Sequence, residues 1–172
     1  MSVPRMADAV VIAGANGAGK TTFARQFVPT LYPGVPFLNV DEIQAEDPAI
    51  AHPVAAGREF LRRLAEAERQ AASFAIETTM SSTKYAKRMA LWRASNYRLS
   101  LHFIELPTEE YAVQRVALRV AAGGHSVPEA DVRRRFHRGI ALFQQVYKPL
   151  VDEWYHWHSD DAGLRLGDHH EK

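Results

Sequence analysis

The sequence predicts an α/β fold, a doubly wound parallel sheet of about five strands, and three observations carry that prediction. Short apolar runs rich in β-branched residues alternate with segments of helical period over the first two thirds of the chain. Two of these runs close on a carboxylate, Asp41 and Glu77, at the strand ends where ligands gather in such sheets. A glycine-rich stretch, Gly14 to Gly19, joins the first run to the first helical segment. The 172 residues, 47% apolar and 24% charged, suffice for a core and argue against a disordered chain, so one domain spanning 1–172 is expected.

Ala9-Val10-Val11-Ile12-Ala13 is a continuous apolar run and reads as a first strand buried on both faces. A helix over 21–28 should stop at Pro29, before a loop that reaches Pro36. Phe37 to Asp41 reads as strand two, and Phe74 to Glu77 as strand three. Between them, Val54 to Ala72 has helical spacing through Phe60, Leu61, Leu64 and Ala65. Thr83 to Asn96 predicts a helix with Tyr85, Met89 and Trp92 inward, and Leu99 to Ile104 predicts strand four. Glu109 to Ala122 then forms a helix that Gly123-Gly124 terminates. Ser126-Val127-Pro128-Glu129 has capping-box spacing and opens another helix, which Pro149 should break. Leu164 to Leu166 is a weak fifth strand, and the tail from Asp168 is expected to fray.

Composition excludes several classes of function. Twenty-one basic against 20 acidic side chains leave no global field to recruit nucleic acid or an anionic membrane. No apolar run approaches the length of a membrane span. With no cysteine, disulfides, zinc-thiolate sites and cysteine nucleophiles are impossible, and a reducing, cytoplasmic location is expected. The opening residues lack the pattern of a signal peptide.

Gly14-Ala15-Asn16-Gly17-Ala18-Gly19-Lys20-Thr21 fits G-x-x-x-x-G-K-[ST] and lies directly after a strand and before a helix, the setting its mechanism demands. The glycines let successive amides turn around the β-phosphate of ATP, and the helix N-terminus adds the positive end of its dipole. Lys20 would reach the β- and γ-phosphates, and the Thr21 hydroxyl is a ligand for Mg²⁺. The sequence therefore predicts a P-loop NTPase.

A phosphate loop only holds a nucleotide, so the acceptor chemistry lies elsewhere. Asp41 is the candidate for the base that orients and deprotonates an attacking hydroxyl, against a helix N-cap as its structural role. Strand alternation turns Glu42 elsewhere. Glu77-Thr78-Thr79 combines a carboxylate with two hydroxyls, fit to organise a Mg²⁺ water shell or to bind a polar substrate, while Thr79 alternatively caps the next helix. Between Glu109 and Arg138 six arginines face four acids, so two helices about a glycine hinge could bring guanidinium groups down on phosphates as a kinase lid over about 109–138. Arg115 and Arg119 share one helical face, and Arg133-Arg134-Arg135 open the next helix; pairing with the acids is the competing reading.

Together these motifs resemble the zeta-toxin family of P-loop kinases, in its short bacterial branch. The resemblance rests on Gly14 to Thr22, Asn39 to Glu42, Ala56-Gly57-Arg58, Phe74 to Thr79, Arg115-Val116, Gly123-Gly124-His125, Val127-Pro128 and Arg134-Arg135-Phe136. It implies a nucleotide-kinase-like sheet and ATP-dependent phosphorylation of a UDP-N-acetylamino sugar, with an antitoxin protein as partner. Asp41 matches the family's catalytic base, Glu77 and Thr79 its substrate-binding positions, and Arg119 and Arg134 its phosphate-binding arginines. Lys20 acts with them, and Thr22 belongs to the nucleotide-binding set. The chain has Gly139 and Leu142 where the family carries Ser and Asn. A nucleoside or other metabolite kinase, and a non-catalytic ATP-binding module of a toxin-antitoxin pair, are the alternatives. No N-K-x-D guanine motif and no L-S-G-G-Q transporter signature occurs.

Overall fold

The computed structural model describes residues 6–46, 50 and 52–171. The elements are β1 (Ala7–Gly14), α1 (Lys20–Leu31), β2 (Phe37–Leu38), α2 (Val40–Glu46), α3 (Pro53–Arg69) and β3 (Phe74–Thr78). They continue with α4 (Lys84–Ala94), β4 (Tyr97–Glu105), α5 (Glu109–Ala121), α6 (Glu129–Leu142), β5 (Glu153–Asp160) and β6 (Gly163–Glu171). The sheet runs β2-β3-β1-β4-β5-β6, parallel except for the antiparallel β5–β6 pair. The predicted α/β class and parallel sheet are thus observed, with six strands among the described residues where about five are expected.

β1 lies at the centre because it is apolar on both faces. Ala9, Val11 and Ala13 point into a layer with Phe60, Leu64, Met89, Trp92 and Phe143. Val10 and Ile12 point into the other layer, with Phe23, Ala24, Val116, Val132 and Phe136. Burying side chains such as Val11 and Ile12 stabilises the fold by roughly 1.5–3 kcal/mol each. The crossover helices supply both layers, as the period-3.6 stripes required.

Four expectations are corrected. First, α1 continues through Pro29 to Leu31. Pro29 is exposed, so the carbonyl it leaves unpaired is open to water, and Tyr32 N–H closes the last turn on the Val28 carbonyl at 2.8 Å. Second, β2 stops at Leu38, because the buried Asn39 side chain accepts the amides of Asp41 (2.7 Å) and Glu42 (3.1 Å) and opens α2 instead. Asp41 therefore stands in the first turn of a helix, and Asn39 takes the capping role that competed for it. Third, Ser126 does not complete a capping box: α6 follows Pro128 with no side-chain cap.

Fourth, the tail is ordered as an edge strand. β5 pairs parallel with β4, and β6 folds back on β5 from Asp160 opposite Gly163. Cross-strand ring pairs join the two, Trp154 with His170 and Tyr155 with His169, the latter at 6.1 Å and 3° between planes. The predicted stop at Gly123 is observed, with φ +90° and an amide bond to the Val120 carbonyl. Beyond α6 the helix widens into a π-helical turn over Phe143–Tyr147 and ends in a short 3₁₀ turn over Lys148–Leu150 that contains Pro149. Among the described residues, no helix is long and apolar enough to cross a membrane.

Under α1 the sheet buries a polar relay. Trp157 donates its indole N–H to His102 Nδ1 (3.2 Å), so His102 Nε2 carries the proton and donates to the Tyr32 hydroxyl at 2.8 Å. Tyr32 in turn donates to Glu153, whose carboxylate also accepts from Ser100 and Arg98. Burial pushes His102 down to about 3. In the unfolded chain it titrates near 6.5, so below that pH only the unfolded state takes the proton. This contribution is complete above 6.5 and lost as pH falls toward 3. Urea unfolding should show His102 removing about 2 kcal/mol of stability between pH 7.5 and pH 5, a difference that His102→Gln abolishes whatever its baseline. Equal pH slopes for the two proteins would refute it.

Candidate active site

At the carboxyl end of β1 the chain must turn sharply beside β4. A Cβ on Gly14 would stand 2.3 Å from the Ile104 carbonyl oxygen, and φ is +147°, so only glycine fits. The loop then runs to Gly19, a left-handed residue with no side-chain cap, and α1 begins at Lys20. The first turn of α1 has free amides and no acidic side chain, which leaves the positive end of its dipole facing the loop.

Lys20 rests with Nζ donating to the Ala15 carbonyl at 2.9 Å, across the mouth of the loop. Burial brings its pKa down to about 8; Glu77 opposes that shift, and the positive charges of Arg119 and Arg135 add to it. Such a site is short of negative charge. One residue on, Thr21 Oγ1 donates to Glu77 Oε2 at 2.8 Å, so the threonine hydroxyl and the β3 carboxylate share one locus. β1 and β3 are neighbours, with Ala13 opposite Thr78 and Ile12 opposite Glu77, which explains the meeting. These two hard oxygen donors fit a Mg²⁺ ion that shares the remaining positions between waters and phosphate oxygens. Among the described residues no group of three or more His, Asp or Glu side chains is placed to hold a metal by itself.

Glu77 also lines a small cavity of about 170 Å³ together with Asp41, Asn39, Leu38, Phe60 and Tyr85. Asp41 and Glu77, remote in sequence, thus face one recess beside the head of α1. Glu42 is turned away, as expected, but by helical rotation rather than strand alternation, and pairs with Arg25 of α1 at 2.7 Å. Thr79 sits at the turn after β3 with its hydroxyl 3.0 Å from that of Ser81, and it does not cap α4, which follows Thr83. Gly139 of α6 packs on this turn: a Cβ there would lie 3.2 Å from the Thr79 carbonyl oxygen.

The two arginine helices stand against the phosphate loop rather than hinged away from it. Arg115 Nε donates to the Gly17 carbonyl at 2.8 Å, and Arg135 Nη1 reaches Asn16 Oδ1 at 3.3 Å. Arg119 donates to the His125 carbonyl at 2.9 Å. Arg134 pairs with Asp131 at 2.7 Å and its side chain is 58% exposed, so the member of the arginine run that reaches the loop is Arg135. Arg133 is held by Glu109, Glu110 and Glu129 and ties the two helices together. A larger cavity, about 680 Å³, lies at the opposite end of the sheet around Tyr32, Arg98, His102 and Glu153, away from this chemistry.

The sequence model of the family described as Zeta toxin matches residues 4–148. An uncharacterized protein of Haemophilus influenzae is 28% identical over 132 residues, covering 74% of this chain and 91% of that protein. Among solved structures, one from the PezAT chromosomal toxin-antitoxin system of Streptococcus pneumoniae gives a TM-score of 0.71 at 16% identity, over 98% of this chain and 73% of its own. The complex of AvrRxo1-ORF1 and -ORF2 with ATP gives 0.71 at 16% identity, over 96% of this chain and 59% of its own. At such identities the structural likeness is one of fold, a kinase-like P-loop sheet.

Proposed function

The chain belongs to the zeta-toxin family, and from that premise we propose that it is an ATP-dependent kinase that transfers the γ-phosphate to a hydroxyl of a UDP-N-acetylamino sugar. The observation that carries the proposal is Glu77, which bonds Thr21 at the head of α1 and lines the recess shared with Asp41. A phosphate held at α1 and a hydroxyl held in that recess would meet at one point.

In this reading the loop from Gly14 to Thr22 binds the nucleotide, and Lys20 leaves the Ala15 carbonyl to neutralise the β- and γ-phosphates. Thr21 and Glu77 would hold Mg²⁺, which supplies positive charge to the phosphate oxygens when bound. Asp41 accepts the proton of the attacking hydroxyl as its oxygen bonds to the γ-phosphorus and the bond to the β-phosphate oxygen breaks. Arg119 and Arg135 stabilise charge on the transferring group, with Arg134 beside them, and Thr79 hydrogen-bonds the acceptor.

The recess, about 170 Å³, is too small for a whole nucleotide sugar and would hold only its accepting end. The same small volume favours a second reading, a kinase of a nucleoside or other small metabolite. An antitoxin partner is part of the proposal, since the PezAT likeness comes from a toxin-antitoxin system. Incubation of the purified protein with Mg-ATP and a panel of UDP-sugars and nucleosides, followed by mass spectrometry, should show a gain of one phosphate on a UDP-N-acetylamino sugar. Phosphate on a nucleoside alone supports the second reading. Steady ATP binding with no labelled acceptor, unchanged in Asp41→Ala, overturns both in favour of a non-catalytic module.

A further inference from the structure

We propose that Arg115 is a positioning residue that sets the shape of the phosphate loop, and with it the resting place of Lys20; this rests on the nucleotide-binding part of the reading above. Ala18 N–H donates back to the Ala15 carbonyl at 3.2 Å, closing a turn over Ala15–Ala18 in which Gly17 has φ +83°. The peptide between Gly17 and Ala18 is planar and trans, so its N–H and C=O point opposite ways. With the N–H turned inward, the Gly17 carbonyl points outward, and Arg115 Nε meets it there at 2.8 Å.

The approach is close. A Cβ on Gly17 would lie 3.0 Å from Arg115 Cβ and 3.1 Å from the Ala112 carbonyl oxygen, so α5 touches the loop backbone itself. The guanidinium extends toward Gly19, where Nη2 is 3.8 Å from the place of a Cβ. It is held from behind by the Tyr111 ring, 5.9 Å away, whose hydroxyl donates to Asp161 in the β5–β6 turn at 2.7 Å. The Ala15 carbonyl that closes the turn is also the acceptor for Lys20 Nζ. One chain of contacts therefore runs from α5 through the turn to the catalytic lysine. Lysine at 115 would carry the charge but lack an N–H directed from the middle of the stem.

The test compares the wild type with Arg115→Ala and Arg115→Lys. Both variants should bind Mg-ATP and Mg-ADP about tenfold more weakly by calorimetry, the value of one charge-assisted hydrogen bond. In turnover the loss should fall on KM for ATP rather than on kcat, because the turn serves ground and transition states alike. In ¹⁵N spectra of the free wild type, an exchange-protected Arg115 Nε–H signal is expected, and the amides of Gly17, Ala18 and Gly19 should shift in both variants. Unchanged nucleotide affinity in Arg115→Ala, or full rescue by Arg115→Lys, overturns the proposal. So does a fall in kcat at constant KM, which would mean direct contact with the transferring phosphate. A wild type that binds nucleotide but transfers nothing sinks the kinase reading and leaves this test intact. One that binds no nucleotide sinks both.

Discussion

Asp41→Asn should lower phosphate transfer by about 10²–10⁴-fold while ATP binds within about threefold of wild type. The expectation follows from where the carboxylate stands. Asp41 is exposed in the first turn of α2 and is not needed to open that helix, because Asn39 caps it through the amides of Asp41 and Glu42. Asparagine therefore keeps the backbone arrangement and the shape of the 170 Å³ recess, and removes only the proton acceptor. Thermal unfolding should be little changed, since a surface substitution free of packing effects costs within about 0.5 kcal/mol. Single-turnover transfer and nucleotide titration together decide the matter. Intact transfer in the variant ends the assignment of Asp41 as base, and parallel loss of binding and transfer would move it to the nucleotide site.

Lys20→Ala should weaken both binding and transfer, with ATP affinity reduced about 10–100-fold by loss of a charged donor to phosphate and turnover falling further, by about 10²–10³-fold, as transition-state charge goes uncompensated. The wild type adds a pH signature. In the free protein burial holds Lys20 near 8, and a bound triphosphate must raise it. Nucleotide binding above pH 8 should take up a proton, so affinity falls as pH rises from about 8 toward the ordinary lysine value, by up to tenfold per unit. Calorimetry at pH 8.5 in two buffers of different ionisation enthalpy reads that proton directly. Identical heats in the two buffers would contradict the picture of a buried lysine waiting for phosphate.

The arginines show what helical phase can and cannot reveal. In α6 the buried residues Val132 and Phe136 mark the inner stripe. At about 100° per residue, Arg134 lies nearly opposite that stripe and Arg135 flanks it, so phase alone separates the arginine that turns to Asp131 from the one that reaches Asn16. Counting arginines in a run discards that information. Arg115 carried a weaker signal. Its place on one face with Arg119 was legible, but its partner is a backbone carbonyl almost a hundred residues earlier, and backbone acceptors leave no trace in side-chain spacing.

Boundaries failed where a local bond overrode composition. Phe37 to Asp41 reads as a strand, but the two amides gathered by Asn39 turned the chain into α2 after Leu38. The candidate strand at Leu164 to Leu166 falls inside β6, but β5 escaped and β6 runs on to Glu171, because the histidines in both interrupt the apolar alternation, while in the sheet these rings stack across the hairpin and His156 meets Glu105 at 2.7 Å.

By itself the sequence determined the alternation that makes a parallel sheet, the loop that fits a triphosphate, and the two carboxylates that stand beyond it. Each is local: apolar period, glycine at fixed offsets, an acid after an apolar run. The tertiary structure alone decided that Glu77 meets Thr21, that Asp41 shares a recess with Glu77, and that Arg115 meets the Gly17 carbonyl of the loop. These are contacts between separate strands and helices, set by sheet order and by helix rotation against a common core, and neither is written in any short stretch of chain.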